Sequence, residues 1–82
     1  MQISVEISLY PFTPDYEPPI LDFIKRINEY QEVKIHTNGM STQIVGPYAE
    51  VMTLLTKELQ PSLEGNRTTI AVMKILNHPI QL

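Results

Sequence analysis

The sequence predicts an α+β domain in which one antiparallel sheet of four strands carries two helices on one of its faces. Three observations lead there. The chain opens on an unbroken alternation of apolar and polar residues. Two later segments repeat their apolar residues at helical spacing. Between and after them lie β-branched runs, so that the element order reads β-α-β-β-α-β. With 82 residues there is room for one domain, assigned to residues 1–82. A chain this short buries only about 60% of its unfolded surface, so a single core is all it can hold.

In the first segment Ile3, Val5, Ile7 and Leu9 alternate with Gln2, Ser4, Glu6, Ser8 and Tyr10. A period of two means a strand with one buried and one polar face, and Pro11 is expected to end it because proline cannot donate to a ladder. Four prolines stiffen the stretch from Pro11 to Pro19, and Pro18 and Pro19 suit the first turn of a helix. That helix is expected from about Pro19 to Tyr30, with Ile20, Phe23, Ile24 and Ile27 inward. Glu32 to Asn38 reads as a strand, and Asn38-Gly39 as a two-residue hairpin loop with positive φ at both residues. Met40 to Val45 then returns, with Thr37 opposite Met40, Ile35 opposite Thr42 and Val33 opposite Ile44. Lys34, His36, Ser41 and Gln43 share the other face. Gly46-Pro47 opens a second helix striped by Val51, Leu54, Leu55 and Leu59, and Pro61 is expected to close it. Thr68 to Leu76 is a fourth strand, apolar on both faces, and residues 77–82 are a tail.

Right-handed crossovers assemble this order into the ferredoxin-like split βαβ. The first and third strands are expected side by side at the centre and parallel, which brings Ser8 near Gln43. The second sheet face is left open, with Val45 among its polar residues.

Composition narrows the function. Nine acids against six lysines and arginines give a net charge of −3, which disfavours a nucleic-acid partner, since phosphate binding needs a basic face. The absence of cysteine excludes disulfides, thiolate metal sites and a cysteine nucleophile. It also suits a cytoplasmic setting, because small secreted domains usually need such staples. The N-terminus lacks the basic and apolar regions of a signal peptide, and no apolar run is long enough to span a membrane.

Nothing in the residues makes a catalytic or metal-binding set. His36 and His78 stand far apart and lack the short spacing of metal ligands. Gly39, Gly46 and Gly65 each sit in a separate turn and build no phosphate loop. Ser41 and His36 face each other across the hairpin without a third group, so a hydrolase is not expected. The acylphosphatases share the topology but hold phosphate with an arginine in the loop after the first strand; here that loop contains Asp15 and Glu17 and no base. The segment Asn38 to Gln43 departs most from pattern. Thr42 stands on the core face of a central strand, and such departures often mark sites. A neutral cluster of this kind suits a ligand held by hydrogen bonds. Thr42 would admit it between sheet and helices, whereas Ser41 and Gln43 would hold it on the open face or at a subunit interface; the residues leave both possibilities standing.

Ile7-Ser8-Leu9-Tyr10-Pro11, Pro19-Ile20 with Phe23-Ile24, and Asn38-Gly39-Met40-Ser41-Thr42-Gln43-Ile44 followed by Gly46 and Tyr48 together resemble the thiamine-binding YkoF-like proteins. The resemblance runs from the first strand to Ile75. It implies a ferredoxin-like domain that binds thiamine or its hydroxymethylpyrimidine moiety without catalysis, linked to vitamin uptake or salvage. The best-known members carry two such repeats, and this chain carries one. Ser8, Tyr10, Asn38, Met40, Ser41, Thr42 and Gln43 are then the expected ligand-binding residues. Amides and hydroxyls satisfy pyrimidine edges, Met40 or Tyr10 packs on the ring, and an acidic domain is hospitable to a thiazolium cation. The vitamin is the ligand, and no resident cofactor or metal is expected. The alternative is a structural or regulatory oligomerisation domain without a ligand. Under either reading a homo-oligomer, dimer or tetramer, is expected.

Overall fold

The strand alternation at the N-terminus and the two helical stripes form where their periodicities place them. The structure, a computed structural model describing all 82 residues, runs β1 (Gln2–Pro11), α1 (Glu17–Ile27), β2 (Lys34–Thr37), β3 (Thr42–Pro47), α2 (Tyr48–Leu63) and β4 (Thr69–Leu76). The strands make one antiparallel sheet in the order β2-β3-β1-β4, and the fold is ferredoxin-like. Ile3, Val5, Ile7 and Leu9 of β1 and Ile44 of β3 meet Phe23 and Ile27 of α1 and Val51, Leu54 and Leu55 of α2 in one core.

β1 and β3 are adjacent, as expected, but antiparallel, with Val5 opposite Ile44 and Ile7 opposite Thr42. The reason is topological. A βαβ crossover makes β1 and β2 parallel, and the hairpin then reverses the chain, so β3 must oppose β1.

The hairpin is also longer than Asn38-Gly39 suggests. Thr37 pairs with Thr42, His36 with Gln43 and Ile35 with Ile44, which leaves residues 38–41 as a four-residue loop. No residue has positive φ, so there is no type I′ turn. Instead the Asn38 side chain caps the loop, its Oδ1 accepting from the backbone N–H of Met40 at 2.9 Å and of Ser41 at 3.1 Å, an Asx turn. The pairing differs from expectation by two residues, and because the side-chain period is two, every residue keeps its expected face.

Element ends shift for local reasons. α1 stops at Ile27, where the chain tightens into turns with the Glu29 N–H donating to the Arg26 carbonyl and the Tyr30 N–H to the Ile27 carbonyl at 3.2 Å each, while Asn28 turns its side-chain amide back to the Ile24 carbonyl at 2.7 Å. Pro11 is the last residue of β1, paired with Thr69. Pro61 does not close α2, which continues to Leu63. Near the helix end proline forgoes only the bond to the carbonyl of exposed Lys57.

The outer sheet face is only half open. The tail after β4 folds back across it: Ser4 Oγ donates to the His78 carbonyl at 2.7 Å and accepts from the Ile80 N–H at 2.8 Å. Ser4 is buried beneath it, and Val45, expected on the open part, is buried too.

Gly46 is the one glycine that packing requires. A Cβ there would stand 2.9 Å from Val33 Cγ1 and 3.3 Å from Val33 Cα. Gly46→Ala is therefore expected to lose about 1–3 kcal/mol through overpacking, read from denaturant midpoints; an unchanged midpoint would mean that the segment before β2 yields freely.

Candidate functional site

At the end of the sheet where β1 finishes and the β2–β3 hairpin turns, α1 does not close fully onto the strands. A cavity of about 180 Å³ remains there. Its apolar walls are Ile20, Phe23 and Ile24 from α1 and Ile7 and Leu9 from the helix-facing side of β1. Its polar groups come from Ser8 and Tyr10 and from the hairpin, residues 37–42. No charged side chain lines it. An apolar pocket with a few convergent polar groups is the form that small-ligand sites take.

The hydroxyls of Thr37 and Thr42 lie 2.9 Å apart across the hairpin. Thr42 is buried, 5% exposed, on the face that meets the helices. A pair of hydroxyls uses one proton between its members, which leaves the other O–H and the free lone pairs for a third group. This pair can thus donate to and accept from one ligand edge. Asn38 is committed to its loop, and it holds Met40 out at the rim, 86% exposed. Ser8 Oγ reaches toward the Met40 carbonyl at 3.4 Å, while Tyr10 is half exposed.

Of the seven residues expected at the site, Ser8, Tyr10, Asn38, Met40, Ser41 and Thr42 line this cavity, and Gln43 does not. Gln43 lies on the outer face between His36 and Glu6. Its Nε2 donates to Ser41 Oγ at 2.6 Å, and Ser41 Oγ donates to Glu6 Oε2 at 2.8 Å. Lys74 Nζ stands 3.6 Å from the other Glu6 oxygen. The Ser41 hydroxyl is thus turned toward an acid and not toward His36. Thr37, the partner of Thr42, was not among the expected residues. The two-residue loop set it opposite Met40; the four-residue loop sets it opposite Thr42.

No family model and no curated protein matches the sequence. Solved structures do match the fold. A protein from Thermotoga maritima, assigned provisionally to thiamine biosynthesis or salvage, superposes with a TM-score of 0.84 at 17% identity, covering 100% of this chain and 91% of that one. A hypothetical protein from Methanocaldococcus jannascii gives 0.79 at 18% identity over 99% and 84%. A domain of unknown function, DUF77, from Bacillus cereus gives 0.70 at 16% over 96% and 78%. At such identities the likeness is one of fold. No helix is long and apolar enough to cross a membrane.

Proposed function

We propose that this chain is a non-catalytic binding module for a flat nitrogen heterocycle, thiamine or its hydroxymethylpyrimidine moiety, acting in the cytoplasm in vitamin uptake or salvage. The observation that carries the reading is the Thr37–Thr42 hydroxyl pair at an uncharged cavity beside the hairpin, whose walls from α1 and the helix-facing side of β1 are apolar. An aminopyrimidine edge presents a donor beside an acceptor, which is the complement of that pair. The provisional thiamine assignment of the Thermotoga maritima protein points the same way.

Size and charge refine the reading. The cavity, about 180 Å³, is smaller than the roughly 300–1,000 Å³ of drug-sized ligand sites. It takes one ring, so the thiazolium of whole thiamine stays at the rim beside Met40 and Tyr10. Phosphorylated thiamine binds worse, because no lysine or arginine lines the cavity and the domain is acidic.

Titration calorimetry with hydroxymethylpyrimidine, thiamine and thiamine phosphates tests this. Thr42→Val keeps the shape and removes the hydroxyl, and is expected to weaken pyrimidine binding by about 0.5–1.5 kcal/mol. Ser41→Ala removes a hydroxyl held by Glu6 on the other face and is expected to leave binding near the parent's. No heat with any of the compounds sinks the proposal; the reverse ranking of the two variants moves the ligand to the outer face.

A further inference from the structure

We propose that Asn38 is a site of spontaneous deamidation, the hairpin loop holding its side-chain amide ready for attack by the backbone nitrogen of Gly39. Only Asn38 precedes a glycine; Asn28, Asn66 and Asn77 precede Glu29, Arg67 and His78. Closing a ring from a side-chain amide onto the next backbone nitrogen is hindered by the next residue's Cβ, and glycine has none.

The fold adds to this sequence preference. Asn38 Oδ1 accepts from the Met40 N–H at 2.9 Å and from the Ser41 N–H at 3.1 Å. Attack on Cγ turns that oxygen into an oxyanion, and two preformed backbone donors are the arrangement that stabilises one. The attacking group is free, since the Gly39 N–H makes no backbone hydrogen bond. The equivalent group after Asn28, the Glu29 N–H, is held by the Arg26 carbonyl. Asn38 and Gly39 are both exposed, so water reaches the amide. Neither packing nor torsion calls for glycine at 39: a Cβ there would meet nothing within 4 Å, and its φ is not positive.

The reaction needs only water and a solvent base. The base takes the Gly39 amide proton, the nitrogen bonds to Asn38 Cγ, and Oδ1 takes up the negative charge. The tetrahedral centre collapses, the Cγ–Nδ2 bond breaks, and Nδ2 leaves as ammonia with a proton from water. Water then opens the resulting succinimide. Addition at Cγ gives aspartate at position 38; addition at the backbone carbonyl gives isoaspartate, with the chain routed through Cγ. Nothing is oxidised or reduced. Either product takes the net charge from −3 to −4 and puts a carboxylate on a cavity wall that carries no charge. Aspartate keeps both loop hydrogen bonds in charge-assisted form, whereas isoaspartate lengthens the loop that sets Thr37 opposite Thr42. A shift of preference from a neutral ring toward a cation follows; that consequence rests on the pyrimidine reading, and the modification does not.

The test is to age the folded chain in mildly alkaline buffer, digest it with trypsin and weigh the peptides. Each asparagine falls in its own peptide, 27–34, 35–57, 58–67 or 75–82. Peptide 35–57 is expected to take on the amide-to-acid mass shift well before the others, with fragment ions placing it at position 38. The native chain is expected to convert there at least as fast as the chain aged in urea. Gly39→Ala, with a circular dichroism spectrum and melting point like the parent's, is expected to slow the conversion about tenfold or more, a barrier higher by about 1.4 kcal/mol or more. An unshifted 35–57 peptide, or one outrun by 58–67 or 75–82, overturns the proposal. So does slower conversion in the native chain than in urea, or an unchanged rate in Gly39→Ala. None of these measurements involves a ligand, so their failure leaves the pyrimidine reading untouched.

Discussion

Phe23→Ala is expected to cost about 3–5 kcal/mol of folding stability, the range for a fully buried aromatic. Phe23 is 2% exposed and stands where α1 meets β1, at once a core residue and a wall of the hairpin cavity. Truncation would open the cavity into the core. A chain of this length has roughly 4–12 kcal/mol to lose at 0.05–0.15 kcal/mol per residue. The variant would therefore stand near the edge of folding, its melting point lowered by well over 10 °C at about 4–8 °C per kcal/mol. Phe23→Leu, which keeps most of the volume, is expected to lose less than half as much and to keep a closed cavity. Tyr16→Ala, at an exposed site, is the control, within about 0.5 kcal/mol of the parent. Thermal and denaturant melts of the three rank them; a loss below 1 kcal/mol for the alanine variant would show that α1 is only loosely seated.

The gap between sequence and structure lies mostly in how elements pair and not in which elements exist. Ile3, Val5, Ile7 and Leu9 declare a buried strand face by their period, and all four are buried. Ile20, Phe23, Ile24 and Ile27 declare a helix in the same way. The hairpin misled because Asn38-Gly39 is a signal about torsion preference, and the Asn38 side chain satisfied the loop by another route, accepting two backbone N–H groups. That hid the pairing of Thr37 with Thr42, hence the hydroxyl pair, while the faces survived because the slip was even. Pro61 misled for a related reason, since its cost depends on where in the helix the missing N–H falls. The tail over Ser4 had no signal at all: two hydrogen bonds to one serine hydroxyl across the whole length of the chain leave no trace in local pattern.

Beyond their shared core, the helices are joined by a polar contact, and breaking it is the second large effect expected. Arg26 of α1 donates from Nε to Glu58 Oε1 at 3.0 Å, from Nη2 to the Glu58 carbonyl and to Ser62 Oγ at 2.9 Å each, and from Nη1 to Asp22 Oδ2 at 2.7 Å. Tyr30 donates its hydroxyl to the other Glu58 oxygen at 2.8 Å. The Arg26 and Glu58 side chains are 24% and 18% exposed. Removing one partner of a fully buried pair costs about 3–5 kcal/mol; partial exposure reduces this, and Arg26→Ala is expected to cost about 2–3 kcal/mol. Arg26→Lys recovers little, because a single ammonium cannot reach four acceptors in the plane that a guanidinium fork spans. Tyr30→Phe is expected to cost about 0.5–1.5 kcal/mol and to be coupled to Arg26→Ala, because both residues hold Glu58. The hydrogen bond to Glu58, reinforced by burial and then by the negative charges of Glu58, Glu32 and Glu29, raises the Tyr30 pKa above its ordinary 10.0. A group whose folded pKa is raised stabilises fully below the unfolded value and loses that stabilisation as the pH climbs through the folded one. The parent should therefore lose stability in the alkaline range above about pH 10, and Tyr30→Phe, already lower at neutral pH, should lose less over the same interval. Urea midpoints measured from neutral pH into that range for the parent, both single variants and the double variant give the coupling and its pH dependence together. Parallel curves for parent and Tyr30→Phe would mean that the tyrosine proton has no part in holding α1 against α2.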